Sequence, residues 1–273
     1  MQQALIVSSA PGPVGPDHNG VAVLPPKGLN TSVYLDLNHF ARQTEWAHSF
    51  MHTYALWLGP VLLALVFVAA YGLAWWNRAP RASALLVLGG VGTLAALGVN
   101  LLVAHAAREL RPYYTHPHVL VLVAKANDYS FPSDHSVVAG GLTFSLVLVL
   151  AASAWPQRQG QSAGADGRVG GSVGRATLVR AFLAVNVALG LFLCFARVYV
   201  GAHYPGDVVA GYLLASVLVL AFSLLRPLVY SLVDILEPTL LGALLRRPVL
   251  LTGARASAAG PLGPPKGAAG AGR

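Results

Sequence analysis

The chain has 273 residues, of which 55% are hydrophobic and 10% charged, with a formal charge of +8. Soluble domains carry about 25% charged residues, so this composition excludes an ordinary soluble core. The positive balance does not argue for nucleic acid, because basic residues flanking apolar runs are what membrane topology requires. Cys194 is the single cysteine, which excludes an intrachain disulfide.

Residues 1–30 are rich in Pro and Gly and read as a disordered tail. They hold no basic segment leading into an apolar core, so no cleavable signal is expected. Residues 31–50 mix apolar and polar positions at helical spacing, with Asn30 or Thr31 available as a cap. This predicts an interfacial amphipathic helix lying on the membrane. His39, His48 and His52 fall in or just after it; without supporting Cys or carboxylates they read as interfacial histidines rather than metal ligands.

Five apolar runs near 20 residues follow, at about 53–76, 82–106, 136–155, 177–196 and 207–225. Each is long enough to cross a bilayer. Between the third and fourth, residues 156–176 lack an apolar period and read as a flexible linker. Residues 226–250 are apolar but broken by Asp234, Glu237 and Pro238, which predicts a surface helix or an irregular sixth span. Residues 251–273 form a second disordered tail. The expected fold is therefore all-α: a polytopic membrane bundle of five transmembrane helices, or six if 226–250 crosses, in one domain over 31–225.

With five spans, twelve of the 18 basic residues fall on the side of the 77–81 turn, the linker and the C-terminus. The other six are Lys27, Arg42, Arg108, Arg111, Lys125 and Arg197. The bias puts the first side in the cytoplasm. The polar stretch Arg108–His135 and the turn holding His203 then share the outer face.

Those two stretches carry the chemistry. A phosphate ester or anhydride is anionic, so a site must neutralise it before a nucleophile can approach in line. Arg111 and Arg197 suit the first task, since a guanidinium fork matches two phosphate oxygens at once. Pro132-Ser133-Asp134-His135 opens the third span, where free N–H groups and the helix dipole favour an anion. His203 and Asp207 are four apart; on one helical face the carboxylate would take one ring proton and leave the other nitrogen as a nucleophile. Each part also has a plain reading. Ser133 or Asp134 serves equally as a helix N-cap, Arg108 as a snorkelling lipid contact, and the His203–Asp207 pair as a structural hydrogen bond.

The whole pattern is more specific. Arg111-Pro112, Pro132-Ser133-Asp134-His135 and Arg197-x5-His203-x3-Asp207 resemble the three motifs of the type 2 phosphatidic acid phosphatase superfamily, over about residues 50 to 225. The sequence departs from those motifs at Ala104, where the first has Lys, at Ala196, where the third has Ser, and at Asp134, where the second has Gly. SFPSDHS after KAND, together with residues 32–51, is similar to the bacitracin-resistance branch, the undecaprenyl-diphosphatases. The resemblance implies that His203 forms a phosphohistidine, that Asp207 orients it, and that His135 protonates the leaving oxygen and later activates water. It implies that Arg111, Ser133 and Arg197, with the Asp134 turn, hold the phosphate, and that no metal or other cofactor is needed. Lys125 and Arg108 are candidates for a second phosphate.

The expected substrate is a polyprenyl diphosphate in the membrane, cleaved at the outer face of a bacterial plasma membrane to recycle the cell-wall lipid carrier. Phosphatidic acid, phosphatidylglycerol phosphate and other prenyl phosphates stay open, because the motifs recognise phosphate and not the tail. A membrane transporter or scaffold with inactive motifs is the non-enzymatic alternative. No nucleic-acid partner is expected.

Overall fold

A computed structural model describes residues 28–77, 79–154 and 169–236. Most of both expected tails, most of the 156–176 linker and residues 237–250 lie outside them. Among the described residues all regular elements are helices. They are α1 (Leu29–Gln43), α2 (His48–Thr53), α3 (Gly59–Trp76), α4 (Pro80–Ala107), α5 (Pro112–Thr115), α6 (Asp134–Ala154), α7 (Val169–Tyr199), α8 (Pro205–Phe222) and α9 (Arg226–Leu236).

Among the described residues five stretches are long and apolar enough to cross a membrane: Glu45–Trp76, Pro80–Thr115, Asp134–Ala152, Thr177–Tyr199 and Pro205–Leu236. The first begins earlier than hydropathy alone indicates. A 3-10 turn, α2 and a π-turn at Tyr54–Leu58 stack without a break onto α3, and such a turn absorbs an extra residue without ending the helix. Val68, Leu94, Leu102 and Val217 stay more than half exposed. In a bilayer these faces meet lipid rather than water.

The helix α6 is the most enclosed of the five and packs against α4, α7 and α8. Small residues permit this. A Cβ on Gly140 would lie 2.2 Å from the Tyr212 carbonyl oxygen, and one on Gly211 would lie 2.5 Å from that of Ser133. Close backbone approach through small residues is the usual means of helix association in membranes. Here it seats the start of α6 directly on α8.

Helix α1 buries Tyr34, Asn38 and Ala41, the i, i+4, i+7 face. It does more than lie on a surface. The Asn38 amide exchanges hydrogen bonds with the Leu120 backbone at 2.8 and 2.9 Å, and Arg42 donates to the His118 carbonyl. The loop before α6 is thus held between α1 and the α7–α8 turn, where Leu122 N–H donates to Val200 O at 3.0 Å. Neither Asn30 nor Thr31 is the N-cap. Gly28 takes that position at φ 84°, while Asn30 accepts from Gly206 N–H at 2.7 Å and ties α1 to the start of α8.

Beyond α8 a short 3-10 turn leads into α9. Val233 is buried against the bundle, and Arg81 pairs with Asp234 at 3.2 Å while its guanidinium sits 5.3 Å from the Tyr230 ring centre. These contacts fasten α9 to the beginning of α4, at the end of the bundle away from the two motif-bearing loops.

Candidate active site

Helix α7 carries Arg197 in its last turn. Gly201, at φ 79°, then reverses the chain; a Cβ there would lie 2.5 Å from Leu120 O, so the turn requires glycine. His203 follows two residues before α8. Pro205 starts that helix, where a missing N–H costs nothing. Asp207, in the first turn, accepts the Tyr204 N–H at 2.9 Å and caps the helix.

The His203 ring is buried and gripped on both nitrogens. Nδ1 lies 2.8 Å from Ser130 O. Nε2 lies 3.1 Å from Arg111 Nη1 and 3.3 Å from Arg197 Nη2. A guanidinium only donates and a carbonyl only accepts. Nδ1 therefore carries the proton, and Nε2 presents its lone pair between two buried arginines. Burial, then the charges of Arg197 and Arg111, hold the imidazole well below its ordinary pKa, outweighing the Ser130 hydrogen bond. The ring is neutral at neutral pH, as a nitrogen nucleophile must be.

This corrects the role expected of Asp207. Its nearest carboxylate oxygen is 3.5 Å from His203 Nδ1, too far for a good hydrogen bond. His203 lies in the turn before α8, so the pair does not share a helical face. Asp207 acts one step away: the Ser130 hydroxyl donates to Asp207 Oδ2, and the Ser130 carbonyl accepts the hydrogen bond from His203 Nδ1–H.

Arg111 precedes α5, buried among Ala202, His203 and Asp128. Nη1 also donates to Ala202 O at 3.1 Å. Nε and Nη2 make parallel bonds to the two Asp128 oxygens at 2.6 and 2.9 Å. Burial raises the Asp128 pKa, but the Arg111 hydrogen bond and charge outweigh it and hold this carboxyl below its ordinary value.

The Pro132–His135 turn is anchored from two sides. Ser133 N–H donates to Asp207 O at 3.1 Å, and Asn100 Nδ2 donates to Pro132 O at 3.2 Å and Asp134 Oδ1 at 2.6 Å. The Ser133 hydroxyl is buried without a partner, which suits a ligand oxygen. His135 lies within electrostatic reach of Arg111, Arg197 and His203. The Asp134 carboxylate is exposed and turned to Asn100, and as an anion it does not itself bind phosphate.

A cleft of about 380 Å³ opens at this point, lined by Ala104, His105, Arg111, Asp128, Asp134 and His203 among others. A larger cavity, about 1300 Å³, is lined mostly by apolar side chains near Arg81 and Tyr230, away from these groups. Arg108 and Lys125 do not line the cleft. Arg108 takes a left-handed φ of 52° at the end of α4 and its Nε donates to His105 O, while Lys125 is exposed, with Nζ 5.9 Å from the Tyr113 ring centre. Ala104, at the position of the absent motif lysine, does line it.

Sequence reasoning missed Ser130, Asp128 and Asn100. Asn100 had a signal, a polar residue inside an apolar run. Asp128 had a weaker one, an acid in a polar loop of an acid-poor chain. Ser130 acts partly through its carbonyl, which no side-chain pattern reports.

The helical bundle and this site define a membrane hydrolase acting on phosphate esters or anhydrides. The model of the PAP2 superfamily matches residues 83–230. The chain is 30% identical over 179 residues to undecaprenyl-diphosphatase BcrC of Bacillus subtilis, covering 64% of this chain and 77% of that protein. It is 27% identical over 108 residues to an undecaprenyl-diphosphatase of Sulfolobus acidocaldarius, covering 40% of this chain and 39% of that protein. No solved structure matches. The chain belongs to the PAP2 superfamily, on the side of its BcrC-like members, and is a lipid phosphatase.

Proposed function

We propose that the protein hydrolyses undecaprenyl diphosphate to undecaprenyl phosphate and inorganic phosphate through a phosphohistidine on His203. The observation that carries this is the neutral His203 ring, with its Nε2 lone pair between Arg111 and Arg197 and its Nδ1–H donated to the Ser130 carbonyl. The terminal phosphate replaces the two arginine contacts to Nε2, so that its non-bridging oxygens take the guanidinium N–H groups. The lone pair attacks phosphorus, the bridging P–O bond breaks, and the lipid monophosphate leaves. His135 hands a proton to the departing oxygen, then takes one from water. That water attacks phosphorus, the P–N bond breaks, and inorganic phosphate and free His203 result. The unpartnered Ser133 hydroxyl supplies a further donor.

The named lipid is favoured by the relatives, both undecaprenyl-diphosphatases. The charge bias favours a cleft on the extracytoplasmic face with the C-terminus in the cytoplasm. There the headgroup enters while the tail stays in the bilayer, and the reaction returns the carrier for cell-wall assembly and opposes bacitracin. The test is phosphate release from undecaprenyl diphosphate in detergent, with and without EDTA, by wild type and His203→Ala. EDTA-resistant release lost in the variant is expected. Release from phosphatidic acid or phosphatidylglycerol phosphate but not from this lipid would keep the chemistry and replace the substrate.

A further inference from the structure

In the resting site every nitrogen of Arg111 is already engaged. Nη1 serves Ala202 O and His203 Nε2, while Nε and Nη2 serve the two oxygens of Asp128. A phosphate that takes over the Nη1 contact to His203 still finds the Nε–Nη2 edge, the one able to grip two oxygens at once, occupied by Asp128. The Asp128 side chain is 55% exposed, on the loop that lines the cleft, while that of Arg111 is 8% exposed. A carboxylate grips the guanidinium fork with the same paired oxygens that a phosphate uses.

We propose that Asp128 is a built-in competitor for the substrate's phosphate: its carboxylate occupies the Nε–Nη2 edge of Arg111 between turnovers, is displaced when phosphate binds, and returns as inorganic phosphate leaves. This rests on the phosphatase reading above. The competition supplies what a buried arginine pair otherwise lacks, a means of release. Two guanidinium groups that hold the transferred phosphate also hold the product. An anion waiting at the mouth lowers the affinity for that product. The depressed pKa of Asp128 keeps it charged for this task at neutral pH. A residue that only aimed Arg111 would act with the opposite sign, since its loss would weaken phosphate binding and slow the chemistry.

The test uses the full chain in detergent, with inorganic phosphate as the probe. Inhibition of lipid-phosphate hydrolysis by inorganic phosphate, and its binding measured directly by calorimetry, are compared for wild type, Asp128→Asn, Asp128→Ala and Asp128→Glu. Removing the charge is expected to tighten phosphate about tenfold in the Asn and Ala variants, since a hydrogen-bonded charge pair has been lost as a competitor. Asp128→Glu is expected to stay within about twofold to threefold of wild type because the charge is kept. Unchanged or weaker phosphate binding in the Asn and Ala variants, with a lower kcat, would overturn the proposal and leave Asp128 as a positioning residue. Loss of the folded protein in both would make it a structural tie and overturn it equally. If wild type hydrolyses no lipid phosphate, the proposed function fails, and calorimetry alone decides the role of Asp128.

Discussion

Arg111 Nη1 and His203 Nε2 stand 3.1 Å apart, and Arg197 Nη2 completes the contact from the other side at 3.3 Å. Two cations meet one ring nitrogen, which is tolerable only if that nitrogen is a lone-pair acceptor. The arrangement sets the tautomer before any substrate arrives. It also means that the arginines lie where the oxygens of a phosphate under attack would be.

Arg197→Lys is expected to be far from conservative. Lysine keeps the charge but loses the planar fork and the reach to both His203 and the Ala55 carbonyl. Loss of one preorganised donor set for transition-state charge costs about 10²–10³ in kcat. Steady-state phosphate release should show that fall with a smaller change in KM. A raised KM with kcat unchanged would mean that Arg197 binds ground state and transition state alike.

The His203 ring also sets a pH dependence of stability. Unfolded, it takes up a proton near pH 6.5; folded, burial and then Arg197 and Arg111 keep it neutral to well below that value. Between those limits the unfolded state binds more protons, so stability falls as pH falls below about 6.5. Above it both states are neutral and the contribution is flat. Thermal unfolding in detergent between pH 7.5 and 5 should therefore drop more steeply for wild type than for His203→Gln, which has no group to protonate there.

How much of this was legible follows from where the information sits. Five spans showed in hydropathy because a helix that crosses a membrane writes 20 apolar residues in a row. Arg111, His135, Arg197, His203 and Asp207 were legible because ionisable residues beside spans are few. The Ser130 carbonyl was not, because a backbone acceptor leaves no trace in side-chain identity. The i, i+4 spacing of His203 and Asp207 misled, since the helix starts at Pro205, between them. Lys125 and Arg108 were chosen for charge alone, and neither lines the cleft.

Glycine spacing in α6 and α8 makes a prediction about assembly. Gly211→Ala would bring a Cβ to 2.5 Å from Ser133 O, with Ser133 N and Ser136 Cβ each at 3.3 Å, and a backbone oxygen is not the end of a flexible side chain that could give way. Overpacking of this kind costs about 1–3 kcal/mol, and it acts on the turn that carries Ser133 and His135. Gly98→Ala in α4 meets nothing within 4 Å and should be neutral or slightly stabilising. Melting temperature and phosphate release measured on both variants check this: Gly211→Ala should lose both, Gly98→Ala neither.

Ser130 and Asp207 should behave as one unit. The hydroxyl of Ser130 donates to Asp207 Oδ2 while its carbonyl accepts from His203 Nδ1–H. Asp207 therefore steadies the nucleophile through Ser130, and its other duty is to cap Tyr204 N–H. Ser130→Ala removes the hydroxyl tie and leaves the carbonyl in the chain, so a loss of roughly tenfold in kcat is expected, in line with one hydrogen bond to a charged group. Asp207→Asn disturbs both the tie and the cap and should cost more, roughly a hundredfold or above. If the carboxylate acts through the serine, the losses will not multiply, and the double variant will fall no further than about the Asp207→Asn value. Full multiplication would mean that Asp207 reaches the imidazole independently, by closing the 3.5 Å gap to Nδ1 when substrate is bound.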